Sequence, residues 1–113
     1  MAKIDTRYDG EVTILDITGR LTIGDGDVVL RENVRRALSD GSKNIVLNLE
    51  QVTSVDSSGI GEMVASYTAT SQQGGKLKLL KPSMKTRDLL TITRLITIFE
   101  VFDTEAEAVE SYS

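Results

Sequence analysis

The stretch NIVLNLEQVTSVDSSGIGEMV, residues 44–64, passes from an almost continuously apolar run into small and polar residues, and then into a helical pattern. Asn44 to Leu49 suits a strand covered on both faces, as in the middle of an α/β sheet. Ile60, Met63, Val64 and Tyr67 recur at i, i+3, i+4 and i+7, so a helix starts around Ser57 or Ser58 and turns that stripe into the core. Gly74-Gly75 ends it. The join between strand and helix, Asp56-Ser57-Ser58-Gly59-Ile60-Gly61, is richer than a helix start requires. Asp56 or one serine suffices to cap the first turn. A second hydroxyl and two glycines remain, each glycine costing about 0.5–1 kcal/mol relative to alanine in a helix. A first turn without bulky side chains presents N–H groups and the positive end of the helix dipole, an arrangement that suits a phosphate.

Working outward, Lys3–Tyr8 and Val12–Thr18 read as strands around an Asp9-Gly10 hairpin signal, the second ending at Gly19. Val29 or Leu30, Val34, Ala37 and Leu38 mark a first helix, with Asp25 and Asp27 as candidate N-caps and Asp40-Gly41 as its stop. Lys76–Leu80 is a short strand, and Pro82-Ser83 opens a helix carrying Met84, Leu89 and Leu90. The segment Ile96–Phe102 reads as the last strand. Thr104 with Glu107 is a capping-box pattern for a terminal helix with Ala106 and Val109 on one side. The order β-β-α-β-α-β-α-β-α predicts one α/β domain over residues 1–113, a mixed sheet of about four to five strands packed with four helices. Right-handed crossovers then bring strand ends and helix starts to a common rim, where such folds usually meet ligands and partners.

Composition removes most chemistry. The 113 residues contain no cysteine and no histidine, which excludes thiolate metal sites, cysteine nucleophiles and a Ser-His-Asp triad. The expectation is a protein that is not an enzyme and carries no cofactor. A net charge of -4 argues against a nucleic-acid partner. The one basic cluster, Arg31, Arg35 and Arg36, reads as helix-surface ion pairing with Glu32. No apolar run approaches the roughly 20 residues of a membrane span. With no secretory h-region at the N-terminus, a cytoplasmic location is expected. Gly24-x-Gly26 lacks the third glycine of a dinucleotide fingerprint, and no Gly-Lys-Ser/Thr of a P-loop is present.

The motif Asp56-Ser57-Ser58-Gly59-Ile60-Gly61, preceded by its apolar strand and short loop, resembles the STAS domains of anti-sigma factor antagonists. The resemblance implies a free-standing STAS protein, a monomer or weak dimer. It further implies that Ser57, the serine after the Asp, is phosphorylated by an anti-sigma factor that is itself a serine kinase. A separate serine phosphatase would reverse this, and ATP and magnesium would belong to the kinase. The unphosphorylated form would bind the anti-sigma factor and release a sigma factor. The docking edge would comprise Asp56, Ser57, Ser58, Gly59, Ile60, Gly61 and Glu62, with Ser58 the more structural serine. Phosphorylated antagonists usually carry Leu-Asp after the glycine that ends the second strand; here Gly19-Arg20-Leu21-Thr22 places Thr22 there, followed by the loop Ile23–Asp27. The alternative is a STAS scaffold or small-ligand-binding subunit in which Ser57 only caps the helix.

Overall fold

A computed structural model describes residues 1–113. Five strands, β1 (Lys3–Asp9), β2 (Val12–Leu21), β3 (Asn44–Val55), β4 (Lys76–Leu80) and β5 (Val101–Phe102), lie side by side in chain order. The first pair is antiparallel and every later pair parallel. The sheet is therefore mixed, as expected. Helices α1 (Gly26–Ser39), α2 (Ser57–Gln72) and α3 (Met84–Ile92) connect the parallel strands, and α4 (Glu105–Glu110) follows the last.

Strand alternation divides the apolar residues between two layers. Leu15, Ile45, Leu47 and Leu79 join Leu30 and Val34 of α1, Ile60 and Met63 of α2, and Leu90 of α3 in the main core. Their neighbours Ile14, Val46 and Leu80 turn to the other face, against Ala108 of α4. Because α4 is short, side-chain bonds help to hold it. Lys78 of β4, only 4 % exposed, lies 4.2 Å below the Tyr112 ring. Its ammonium donates to the Ser111 hydroxyl at 2.9 Å. The Tyr112 hydroxyl lies 2.7 Å from the Ile45 carbonyl and 2.9 Å from that of Lys76. Burial pushes that phenol up, which favours the protonated, donating form. No helix is long and apolar enough to cross a membrane.

Several boundaries differ from the sequence expectation. β2 runs through Gly19 to Leu21, and β3 to Val55 rather than Leu49, because the two strands keep pairing through two register shifts as far as Leu21 opposite Val55. Main-chain hydrogen bonds hold these tails, and Leu21, Val52 and Val55 within them join or pack against the main core at a spacing too interrupted by polar residues to read as a strand. The hairpin turn is Gly10-Glu11, with Asp9 the last residue of β1. The last strand is only Val101–Phe102: Arg94, at φ +63, ends α3, and Leu95–Thr97 forms a 3-10 turn. Leu95 and Ile96 pack against the core from that turn. In α4 the buried alanine is Ala108, while Ala106 is exposed. Met84 is exposed at the start of α3. The Arg cluster also pairs otherwise: Arg31 bonds Glu62 of α2, and Glu32 pairs with neither Arg35 nor Arg36. An exposed i, i+4 pair is worth only a few tenths of a kcal/mol, too little to order these side chains.

Leu47, fully buried in the central strand, tests this core. Leu47→Ala is expected to lower unfolding stability by about 2–5 kcal/mol, read from equilibrium urea denaturation.

Candidate functional site

The loop between β2 and α1 and the start of α2 meet at one end of the sheet. There the end of β2 is gripped by two glycines. A Cβ on Gly26 would lie 2.1 Å from the Arg20 carbonyl oxygen, and one on Gly59 would lie 2.0 Å from that of Leu21. The Leu21 carbonyl also accepts the Asp56 N–H at 3.2 Å. The first turns of α1 and α2 thus rest directly on strand carbonyls, a contact that no other residue permits without movement. Gly26, part of the incomplete dinucleotide pattern in the sequence, has this structural reason.

Asp56 caps α2. One carboxylate oxygen accepts the Gly59 N–H at 2.9 Å and the other the Ile23 N–H at 3.0 Å. The Ile23 and Gly59 hydrogen bonds hold its pKa below the usual carboxylate value. One side chain therefore fixes the helix start and also ties the Thr22–Asp25 loop to it. Both serines are released from capping. Ser57 is exposed in the first turn, and Ser58 is half-buried. The N–H groups of Ser57 and Ser58 head the helix, where no carbonyl a turn earlier is available within it.

The other expected site residues separate by role. Gly59 and Ile60 are buried; Ile60 belongs to the core. Gly61 is exposed, and a Cβ there would meet nothing within 4 Å. Glu62 accepts from Arg31 at 3.0 and 3.3 Å with its side chain 13 % exposed, so it couples α2 to α1. Thr22 is half-buried next to Ile23, and its carbonyl accepts the Asp25 and Asp27 N–H groups. Of the two N-cap candidates for α1, Asp25 holds the position but makes no cap bond; its carboxylate accepts the Ala2 N–H at 2.8 Å. The Asp27 carboxylate turns back to the N–H groups of Asp25 and Val28.

Sequence reasoning missed Ile23, a 74 % exposed residue that brings its amide to Asp56. No local signal marks it, since its partner is 33 residues away. It also missed a cleft of about 370 Å³ on the other flank of the site, lined by Thr53, Ser54, Ser83, Lys85, Thr86 and Leu89 among others. Those residues come from two separate segments without a shared motif.

Two consequences are measurable. Gly59→Ala is expected to destabilise the fold by about 1–3 kcal/mol through overpacking, whereas Gly61→Ala should stabilise it by about 0.5–1 kcal/mol; paired urea titrations give both signs. For Asp56 the folded pKa is depressed, so its stabilisation is complete above the ordinary value of 3.8 and is lost as pH falls through the folded value. The stability gap between the wild type and Asp56→Ala, followed by denaturation from pH 7 to 2, should therefore close at the acid end.

A model of the STAS domain family matches residues 3–108. The chain is similar to a Thermotoga maritima protein provisionally described as an anti-sigma factor antagonist, at 36 % identity over 73 residues. That match spans 65 % of this chain and 65 % of the relative, under two-thirds of its length. An anti-sigma F factor antagonist of Paenibacillus polymyxa is 26 % identical over 106 residues, covering 94 % of this chain and 91 % of that one. Among solved structures, a Thermotoga maritima crystal structure with the same provisional description superposes with a TM-score of 0.88 at 29 % identity, over 96 % of this chain and 92 % of that one.

Proposed function

The chain belongs to the STAS domain family, and on that premise we propose that it is an anti-sigma factor antagonist switched by phosphorylation of Ser57. It is a binding protein rather than an enzyme. Relatives from Thermotoga maritima and Paenibacillus polymyxa are described as anti-sigma factor antagonists, the first provisionally, and the matches span 65 % and 91 % of their lengths. In this reading the unphosphorylated chain occupies an anti-sigma factor and so frees a sigma factor. That anti-sigma factor is a serine kinase that modifies Ser57, a serine phosphatase restores the hydroxyl, and the exchange takes place in the cytoplasm.

The observation that carries the reading is the division of labour at the start of α2. Asp56 performs the capping, so the exposed Ser57 hydroxyl is free for chemistry without loss of the cap. A phosphate there adds about -1.5 to -2 charge beside a carboxylate already held ionised by two backbone donors. Two anionic groups then share one helix start. A partner that docks closely over the exposed Gly61 would meet this charge directly. Thr22, where phosphorylated antagonists usually carry Asp, leaves the neighbouring loop uncharged at that position and favours a partner whose contact there is not a cation.

Incubation with the cognate kinase and ATP should place a single phosphate on Ser57, located by tandem mass spectrometry. Ser57→Asp should weaken capture of the anti-sigma factor about tenfold or more, equivalent to at least about 1.4 kcal/mol, with an unchanged circular dichroism spectrum. A phosphate on Ser58 instead, or unchanged capture by Ser57→Asp, would defeat the reading.

A further inference from the structure

β1 forms one edge of the sheet, paired with β2 on one side only. Its turn, Gly10-Glu11 with Gly10 at φ +61, has the glycine-first form of a two-residue hairpin. The closing residues Asp9 and Val12 therefore exchange hydrogen bonds with each other. By alternation Arg7, Asp5 and Lys3 also direct their backbone groups towards β2, and Ile4, Thr6 and Tyr8 direct theirs outward. No loop, turn or cap hydrogen bond uses the outward groups of these three residues. Tyr8 is 68 % exposed, and the strand's other apolar side chain is the half-buried Ile4.

From this edge we propose that the protein self-associates, two copies joining β1 to β1 in antiparallel fashion about a two-fold axis that passes between their Thr6 residues. The sequence KIDTRYD, residues 3–9, is complementary to its own reverse. With Thr6 opposite Thr6, Lys3 faces Asp9, Ile4 faces Tyr8 and Asp5 faces Arg7. Opposed residues share a face, so Tyr8 gains an apolar neighbour and each charge an opposite one. Ile4, Thr6 and Tyr8, the residues with outward N–H and C=O groups, fall opposite one another and complete the ladder. A slip of two residues either way keeps the backbone groups matched but sets like charges together. One slip opposes Asp5 to Asp5 and Lys3 to Arg7; the other opposes Arg7 to Arg7 and Asp5 to Asp9. The charges that commonly protect an edge strand here select a single register.

Arg7 already bonds Asp16 and Glu105, whereas Lys3 meets only Asp5, in an exposed pair at 3.5 Å, so the Lys3–Asp9 pairs at the two ends are the more independent handles. Seven residues make a contact at the small end of specific interfaces, suited to weak association. The two-fold axis stands normal to the sheet, so the two Ser57 sites face opposite ends of the dimer and both stay open. The proposal does not depend on the switching role of Ser57.

Sedimentation velocity from micromolar to millimolar protein tests it. The wild type should show concentration-dependent dimer. Thr6→Pro removes an outward N–H at an edge where proline is tolerated and should give folded monomer throughout. Lys3→Asp and Asp9→Lys should each weaken association about tenfold, since each change places two like-charge pairs in the dimer, and the double exchange should restore it. Monomer at all concentrations, or dimer indifferent to the charge reversals, would overturn the proposal. Should Thr6→Pro unfold, the charge-exchange cycle decides alone.

Discussion

The carbonyl of Leu21 leaves room for a hydrogen in the first turn of α2 and for nothing larger. Gly59 meets that requirement with a Cβ position 2.0 Å from the oxygen, and Gly26 meets the same requirement at Arg20. This approach of two helices to one strand end sets the geometry of the whole rim. It brings the Asp56 N–H onto Leu21 and the Asp56 carboxylate within reach of Ile23. It places Ser57 at the surface rather than under the loop. Burial of the main core stabilises the sheet, but this backbone contact decides where the first turn of α2 begins.

The electrostatics of the rim follow from that placement. Asp56 collects donors from a loop and from a helix at once, so its ionised form is favoured in the fold. A phosphate arriving on Ser57 would share the same positive helix end with an anion already in place. That is a local contest over charge and first-turn N–H groups, distant from Leu47, Met63 and the other side chains of the core. A switch built this way changes the surface a partner meets while the packed layers stay as they are. Arg31 and Glu62 contribute by coupling α1 to α2 next to the site, which limits how far the first turns can separate.

The sequence made the middle of the molecule legible. The run Asn44–Leu49 with its partners on α2 produced the core strand and the helix start, while the structure shows Asp56 as the cap and Ser57 exposed. The motif resemblance supplied the family, which the match over residues 3–108 bears out. What stayed hidden has a common cause, dependence on atoms far apart in the chain. Gln51 and Ser54 extend β3 through main-chain pairing with β2, with Thr53 skipped at a register shift, and these polar residues leave no apolar period to read. Gly59 and Gly61 look equivalent in the motif, but one abuts a carbonyl and the other faces open space. Glu62 reads in the motif as part of the docking edge, and its bond to Arg31, 31 residues earlier, is invisible there. Leu95 and Ile96 have strand-like composition, yet the left-handed Arg94 turns them into the core instead.

In the proposed reading Ser57 is a local switch on a rim fixed by Asp56 and Gly59. The most direct test of that reading compares amide NMR spectra of the protein with serine and with phosphoserine at position 57, at equal concentration and pH. Large shifts are expected for Ile23 and for residues 56–60, with the β3 and β4 core amides unmoved. Shifts spread through the core strands, or an Ile23 amide that does not respond, would contradict it.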